Sequence, residues 1–439
     1  MEGRGSTVSR VDLWRAPPGA DAPEVGVGLK ILWLSHFVPY PPAGGNLQRS
    51  YHLLRQAARR HSVHLVALNM RAVLPTSEAV DGATRHLAEF TAGIRVFPHL
   101  WDRSSVRRAA MAAASFFHPA PYDQNWLYSP AMHAYVRSLA ADQSFDLIHL
   151  DTLGLLPYAT AWHDVPIALN HHNVESQLAE RRAGRERFPR RLYFRREAAK
   201  LQRLERLRCP EMAVNFTVSD LDAARLREIA PAARTCVIDN GVDVEYFRPG
   251  SSGRPEVGGL VFAGTLNWYP NREAVRYFLS EIWPALLTED PGRRMMFVGR
   301  DPPPELHAAT RDPRISVTGR VEDVRPYFDA ASIYVCPIRD GGGTRLKILD
   351  ALAMAKPVVA TGLAVEGLEV LEDDHYLRAE TPAEFVAQVR RLERDASLRR
   401  RLGQAGRDLV VRRYAWDAVG RKLDEAYRLA AGVGAATRG

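Results

Sequence analysis

Short, nearly uninterrupted apolar runs alternate along the chain with stretches whose apolar residues recur at helical spacing. A run apolar at consecutive positions suits a strand covered on both faces, and its alternation with helices predicts an α/β architecture of parallel sheets between helical layers. In the first half strands are predicted at Ile31–Ser35, Val63–Leu68, Ile94–Phe97, Leu147–Leu150, Ile167–Asn170, Val214–Val218 and Cys236–Ile238. In the second half they fall at Leu260–Ala263, Met295–Val298, Ile315–Thr318, Ile333–Cys336 and Pro357–Ala360. Between the two sets, Asn240-Gly241-Val242-Asp243 and Pro249-Gly250-Ser251-Ser252-Gly253 are dense in turn formers, which places a linker there. The expected organisation is a first domain over 30–240, a second over 241–411 and a closing segment over 412–432. Val275, Phe278, Leu279, Ile282, Trp283 and Leu286 predict one packed helix over Asn271–Leu287, and Val419, Leu423 and Tyr427 predict a last helix near Trp416–Leu429.

Composition narrows the class. With 439 residues, 46% hydrophobic and 25% charged, the chain resembles an ordinary globular protein of two or three domains, not a fibre or a disordered polymer. Three scattered cysteines, Cys209, Cys236 and Cys336, make neither a disulfide scaffold nor a zinc module, which fits a reducing compartment. Residues 1–29 contain Arg4, Arg10 and Arg15 but no apolar core for a signal peptide, and are expected to be a disordered tail. No window offers the ~20 apolar residues of a membrane helix. Lys and Arg outnumber Asp and Glu by 59 to 51, a net charge of +8 that suits an acidic partner: a nucleotide, a membrane surface or nucleic acid.

Three segments carry candidate chemistry. After the first strand, Pro39-Tyr40-Pro41-Pro42-Ala43-Gly44-Gly45-Asn46 leads into a predicted helix. Glycines there let backbone approach a ligand, and the free N–H groups of a first turn favour an anion, so Gly44, Gly45 and Asn46 form a candidate acceptor or diphosphate loop; a turn that merely needs glycine reads the same way. After Ile167–Asn170 comes His171-His172-Asn173-Val174-Glu175, at the sheet edge where open α/β folds bind ligands. Adjacent histidines point apart and no third ligand is spaced nearby, so no metal is expected, while Asn173 and Glu175 could equally cap a helix. The third segment, Pro337 to Met354, places Gly341-Gly342-Gly343 between a strand and a helix beginning near Thr344. Backbone donors and the helix dipole would meet a phosphate there, with Arg345 and Lys347 adding charge. Asp350 lies nearly two turns along, within reach of a ribose hydroxyl pair, and the Gly-Lys-Ser/Thr of a Walker loop is absent.

Arg181 to Arg208 holds twelve basic and three acidic residues interleaved with Phe188, Leu192, Tyr193, Phe194, Leu201, Leu204 and Leu207. Such a stretch suits either an anionic membrane surface or a plain solvated face. Nucleic acid is not an expected partner, because no recognition module accompanies the charge.

Together these segments resemble the retaining glycosyltransferases of the GT-B fold, the group that includes sucrose and glycogen synthases and bacterial polysaccharide transferases. The likeness spans roughly residues 30–430. It rests on Gly44-Gly45, His172-Asn173-Val174-Glu175, Val237 to Phe247, Phe262-Ala263-Gly264-Thr265, Val317-Thr318-Gly319-Arg320-Val321 and Gly341 to Thr361. Gly264 to Asn271 and Gly343-Thr344-Arg345-Leu346-Lys347 are similar to a bacterial subgroup associated with exopolysaccharide loci. The resemblance implies two Rossmann-like domains facing across a cleft, with the last helix crossing back to the first domain. The second domain would bind a nucleotide-diphosphate sugar through Asp340, Gly342, Gly343, Thr344, Asp350, Thr265, Arg320 and Val321. The first would hold a glycan or lipid-linked acceptor near Gly44, Gly45, Asn46, Asn173 and Glu175, with His172, Arg345 and Lys347 as catalytic groups. It further implies retention of configuration, no metal or cofactor, a role in cell-envelope polysaccharide synthesis, and a cytoplasmic enzyme peripheral at the inner membrane face. Two positions depart from the family pattern. Gly342 and Asp350 stand where the family has two glutamates, and Thr265 and Asn271 where it has an Arg and a Lys, so Arg345 and Lys347 are expected to neutralise the diphosphate instead. A sugar-nucleotide epimerase of the same fold and a non-catalytic scaffold are the alternative readings.

Overall fold

The computed structural model describes residues 28–42, 44–102, 104–142, 144–162, 164–250, 258–341 and 344–432. The tail, part of the linker, Gly342 and Gly343 lie outside the described residues. All twelve predicted strands form. In the first domain they are β1 (Lys30–Ser35), β2 (Ser62–Asn69), β3 (Gly93–Pro98), β4 (Leu147–Leu150), β5 (Ile167–Asn170), β6 (Val214–Thr217) and β7 (Thr235–Val237). In the second they are β8 (Leu260–Ala263), β9 (Met295–Val298), β10 (Ile315–Val317), β11 (Ile333–Cys336) and β12 (Val358–Ala360), joined by a short β13 (Leu377–Arg378) that carries no apolar run to reveal it.

Every pairing between these strands is parallel. The orders are β3-β2-β1-β4-β5-β6-β7 and β10-β9-β8-β11-β12-β13, so each sheet reverses direction next to its first strand. Both are therefore doubly wound, Rossmann-like sheets, whose ligand sites form where the order switches, at the carboxyl ends of the central strands. In each domain the central strands are buried on both faces, which is why they read as continuous apolar runs.

The predicted Asn271–Leu287 helix is instead two helices, Tyr269–Tyr277 and Trp283–Glu289, around a π turn at Phe278–Ile282. Pro284 cannot donate its backbone N–H, so the helical ladder is interrupted there while the apolar stripe continues. The last helix, Trp416–Ala430, packs back onto the first domain. Trp416, Val419, Leu423 and Tyr427 join its core, and the Tyr427 hydroxyl lies 2.8 Å from His149 Nδ1 on β4. Val242 of the linker bridges to Ala415. The chain thus crosses between domains twice, side by side.

Candidate active site

Three strand ends of the first domain converge on one carboxylate. Asp151 follows β4, His36 follows β1 and His172 follows β5. The Asp151 side chain is fully buried. Its Oδ2 accepts from Ser50 Oγ at 2.7 Å and Ser35 Oγ at 3.2 Å, and lies 3.5 Å from His36 Nδ1. Its Oδ1 accepts from Asn170 Nδ2 at 3.2 Å and lies 3.4 Å from His172 Nε2. Burial alone would raise this carboxyl, but the contacts with His172 and His36 hold it well below the usual carboxylate range. Burial keeps His172 below its ordinary value. His171 turns the other way, toward Asn215 Oδ1 at 3.1 Å, as adjacent histidines on an extended segment must.

The expectation that no further metal ligand stands near His172 needs correction. His36, Asp151 and His172 bring three ligand atoms within 4.8 Å of one another. Two of the three lie more than twenty residues upstream in sequence, so spacing could not reveal them. Arg49 was missed for the same reason. Fully buried, it donates to Asn170 Oδ1 (2.9 Å), Ile238 O (2.8 Å) and Asn240 Oδ1 (3.0 Å), tying the Gly45–Ala58 helix to β5 and the start of the linker. Burial pushes its guanidinium down to about 10.

Gly44 precedes that helix with φ 111°, a left-handed conformation that favours glycine. Asn46 is exposed beside it, and a side chain added at Gly45 would lie 3.7 Å from Leu346 of the second domain. The helix starting at Gly45 and the helix Leu346–Ala353 therefore begin on opposite walls of one cleft, both N-termini beside it. Asn173 and Glu175 do not cap the Glu175–Arg185 helix, whose N-cap is Val174 without a side-chain bond. Burial, with Asp123 and Glu205 nearby, pushes Glu175 up to about 8.

On the second wall, Arg345 is the N-cap of the Leu346–Ala353 helix and Lys347 its second residue, the helix starting two positions after the expected Thr344. Lys347 Nζ donates to Asn271 Oδ1 at 2.5 Å and sits 4.6 Å over the Phe262 ring. Among the described residues it has no carboxylate partner, and burial pushes it down to about 8. Gly264, at the end of β8, has φ 151°, and a Cβ there would come within 2.8 Å of the Lys347 ammonium. Asp350, one turn further, is pushed up to about 7 by burial against the pull of Lys347. Asn271, expected only as a departure from the family pattern, is the residue that orients Lys347; its Nδ2 donates to Thr265 O at 2.7 Å. Thr265 Oγ1 accepts from Arg300 Nε at 3.2 Å. Val321 packs against the core of the second domain, whereas Arg320 is exposed after β10.

Among the described residues, side-chain contacts join the walls. Arg185 pairs with Asp340, Arg181 Nη1 donates to Gly341 O at 3.4 Å, and Arg225 Nη2 meets Glu366 Oε1 at 2.9 Å. Asp340 also accepts from the Gly341 N–H at 2.5 Å, so its carboxylate is already engaged. Asn240 Nδ2 donates to Thr344 Oγ1 at 2.5 Å, linking the linker to the glycine loop.

Family comparison agrees with this geometry. The family models described as "Glycosyltransferase Family 4" and "Glycosyl transferases group 1" match residues 43–246 and 258–395, one per domain. A phosphatidyl-myo-inositol mannosyltransferase of Mycobacterium leprae is 25% identical over 331 residues, 72% of this chain and 83% of the relative. Among solved structures, sucrose-phosphate synthase from Thermosynechococcus elongatus superposes with a TM-score of 0.65 at 17% identity, covering 91% of this chain and 98% of that one. Anabaena HepE in complex with UDP gives 0.64 at 16% identity, covering 90% and 99%. Two Rossmann-like domains facing across a cleft define the class, a GT-B fold. The chain belongs to the group 1 glycosyltransferases of that fold and is a glycosyltransferase.

Proposed function

We propose that the protein transfers a sugar, with retention, from a nucleotide-diphosphate donor to a glycan or lipid-linked acceptor of the cell envelope. The observation that carries this reading is the Lys347 ammonium at the start of a helix facing the cleft, a cation at the positive end of a helix dipole with no salt bridge to a carboxylate among the described residues, where an anionic ligand makes it more favourable. Lys347 and Arg345 meet the diphosphate, whose charge grows as its bond to the anomeric carbon breaks; preorganised cations and N–H donors of this kind act most strongly at that moment. Asp350 accepts from the ribose, and Gly342, Gly343 and Thr344 lend backbone or hydroxyl contacts. His172, held by Asp151, faces the sugar or acceptor from the other wall, near Gly44, Gly45 and Asn46. HepE forms complexes with UDP, with UDP and glucose, and with UDP-glucose, which supports a nucleotide-sugar donor here. The mannosyltransferase is named for a phosphatidylinositol, which supports a lipid-linked acceptor.

Transfer proceeds without a resident metal in this reading. Both oxygens of Asp151 are already engaged by hydroxyl, amide and imidazole groups, which leaves the His36–Asp151–His172 cluster as a hydrogen-bonded charge network. A panel of nucleotide sugars incubated with envelope lipid extract tests the whole: a new glycolipid of unchanged anomeric configuration, formed at the same rate after dialysis against chelator, is the expected product. Nucleotide release without an acceptor would point to an epimerase and overturn it.

The basic stretch is read as a membrane face in modified form. It is not one helix: Glu186 to Pro189 separate Glu175–Arg185 from Arg190–Arg208. Arg181 and Arg185 serve the cleft. The second helix braces Ser105–Phe117, through Arg196 Nε to Phe116 O at 2.6 Å and Lys200 Nζ to Ser115 O at 2.5 Å. Phe188 (82% exposed) lies between the two helices, next in sequence to the exposed Arg187 and three residues before the exposed Arg191, and Phe117 (80%) ends the braced Ser105–Phe117 helix, exposed aromatic and basic groups suited to an anionic lipid surface. No described helix is long and apolar enough to cross a membrane.

A further inference from the structure

Behind the cleft, where the chain makes its two crossings, a groove of about 530 Å³ opens between the linker and the junction of the last two helices. Four cations line it. Arg412 and Arg413 end the helix Ala396–Arg413, while Arg421 and Lys422 lie in the first turns of Trp416–Ala430. Two carboxylates, Asp239 and Glu369, stand in the lining with them, and Asp220 acts on Arg413 from outside it. Asp239 follows β7 of the first domain and takes Lys422 at 3.2 Å and Arg413 at 3.6 Å; Glu369, beyond β12 of the second, takes Arg413. Arg412 and Arg421 have no acidic partner among the described residues, and the buried Arg413 Nε has no hydrogen-bond partner.

We infer that this groove is a second anion site, taking a phosphate-class ligand with two or more phosphoryl groups. The lining carries two positive charges in excess, matching a diphosphate. The volume exceeds what one inorganic phosphate fills, since a water-sized share of liquid is ~30 Å³. Two arginines in this setting present forked donors suited to phosphate oxygens. The placement gives the ligand a consequence. Asp239 belongs to one domain and Glu369 to the other, with the crossing segments between them, so an anion bridging Arg412 and Arg421 adds a clasp across the hinge and biases the opening of the cleft. None of these four cations belongs to the donor or acceptor machinery described above.

Pyrophosphate alone is the probe, titrated calorimetrically into the full chain and into Arg412→Ala/Arg421→Ala. Both arginines are exposed, so the double variant is expected to fold and to keep its basal transfer rate. Wild type should bind pyrophosphate with saturating nucleoside diphosphate present, and the double variant should lose at least tenfold in that affinity. Arg421→Glu should lose as much. Binding should also weaken steeply between 50 and 500 mM salt, roughly a threefold shortening of the Debye length. Equal affinity in wild type and double variant, or complete displacement of pyrophosphate by nucleoside diphosphate, would overturn the proposal. Vesicles with phosphorylated inositol headgroups distinguish the source: capture lost in the double variant assigns the site to a lipid, and binding of soluble pyrophosphate alone assigns it to a free anion.

Discussion

Asp350 and Lys347 stand one helical turn apart, and burial moves both toward neutrality, the carboxyl to about 7 and the ammonium to about 8. The signs give a pH profile. Asp350 ionises as pH rises through about 7, which improves capture of the ribose, and Lys347 loses its proton above about 8, which weakens diphosphate stabilisation. Because kcat/KM reports groups of the free enzyme, it should be bell-shaped with limbs near those values. Asp350→Asn should remove the acid limb and raise donor KM, whereas Lys347→Ala should remove the alkaline limb and cost ~10²–10³ in kcat. A profile unchanged by either substitution would detach both residues from the donor. Asp151 is the structural counterpart on the other wall. Asp151→Ala leaves two hydroxyls, an amide and two imidazoles without their acceptor, and should destabilise the fold by about 3 kcal/mol or more, read from the urea midpoint.

At the scale of elements, the cleft is made by two helix N-termini whose loops the sequence marks with glycine. Gly44→Ala forces a side chain into φ 111° and should cost ~1–2 kcal/mol of stability, although nothing lies within 4 Å of the new Cβ. Strain without a clash is distinguishable from packing damage, since at ψ 161° the backbone lies outside the well that asparagine tolerates, and Gly44→Asn should cost about as much as Gly44→Ala. The pair Ser105–Phe117 and Arg190–Arg208 makes a separate test. Phe188→Ser with Arg191→Gln should abolish sedimentation with anionic vesicles while leaving transfer to a soluble acceptor intact, because both residues are exposed and neither makes one of the contacts across the cleft. Wild-type binding insensitive to salt would leave the stretch a solvated face.

For the whole molecule, closure rests on few contacts. Arg185–Asp340 and Arg225–Glu366 cross the cleft, partly exposed, so each contributes little to global stability, about 1 kcal/mol or less. Their effect should instead fall on the glycine loop, where Asp340 and Gly341 are held by first-domain arginines. Arg185→Ala should therefore leave the melting temperature within a few degrees of wild type while raising donor KM, and the radius of gyration in solution should increase slightly.

The amino-acid sequence by itself determined both sheets, because central strands buried on two faces must be apolar at consecutive positions, as β1, β8, β11 and β12 are. It also determined the glycine loops and the cations of the second wall, since Gly341 to Asp350 is contiguous and its chemistry is local. It could not reveal β13, two residues long, nor the break at Pro189, where the basic pattern runs on through a change of helix. Only the tertiary structure decided which distant residues meet. His36, Arg49, Asp151 and His172 come from four separate segments and converge because the parallel order β1-β4-β5 places those strand ends side by side, while Arg185 finds Asp340 only once two domains close. Local pattern is written in neighbouring residues; convergence is set by sheet order and by the domain interface, which no spacing along the chain encodes.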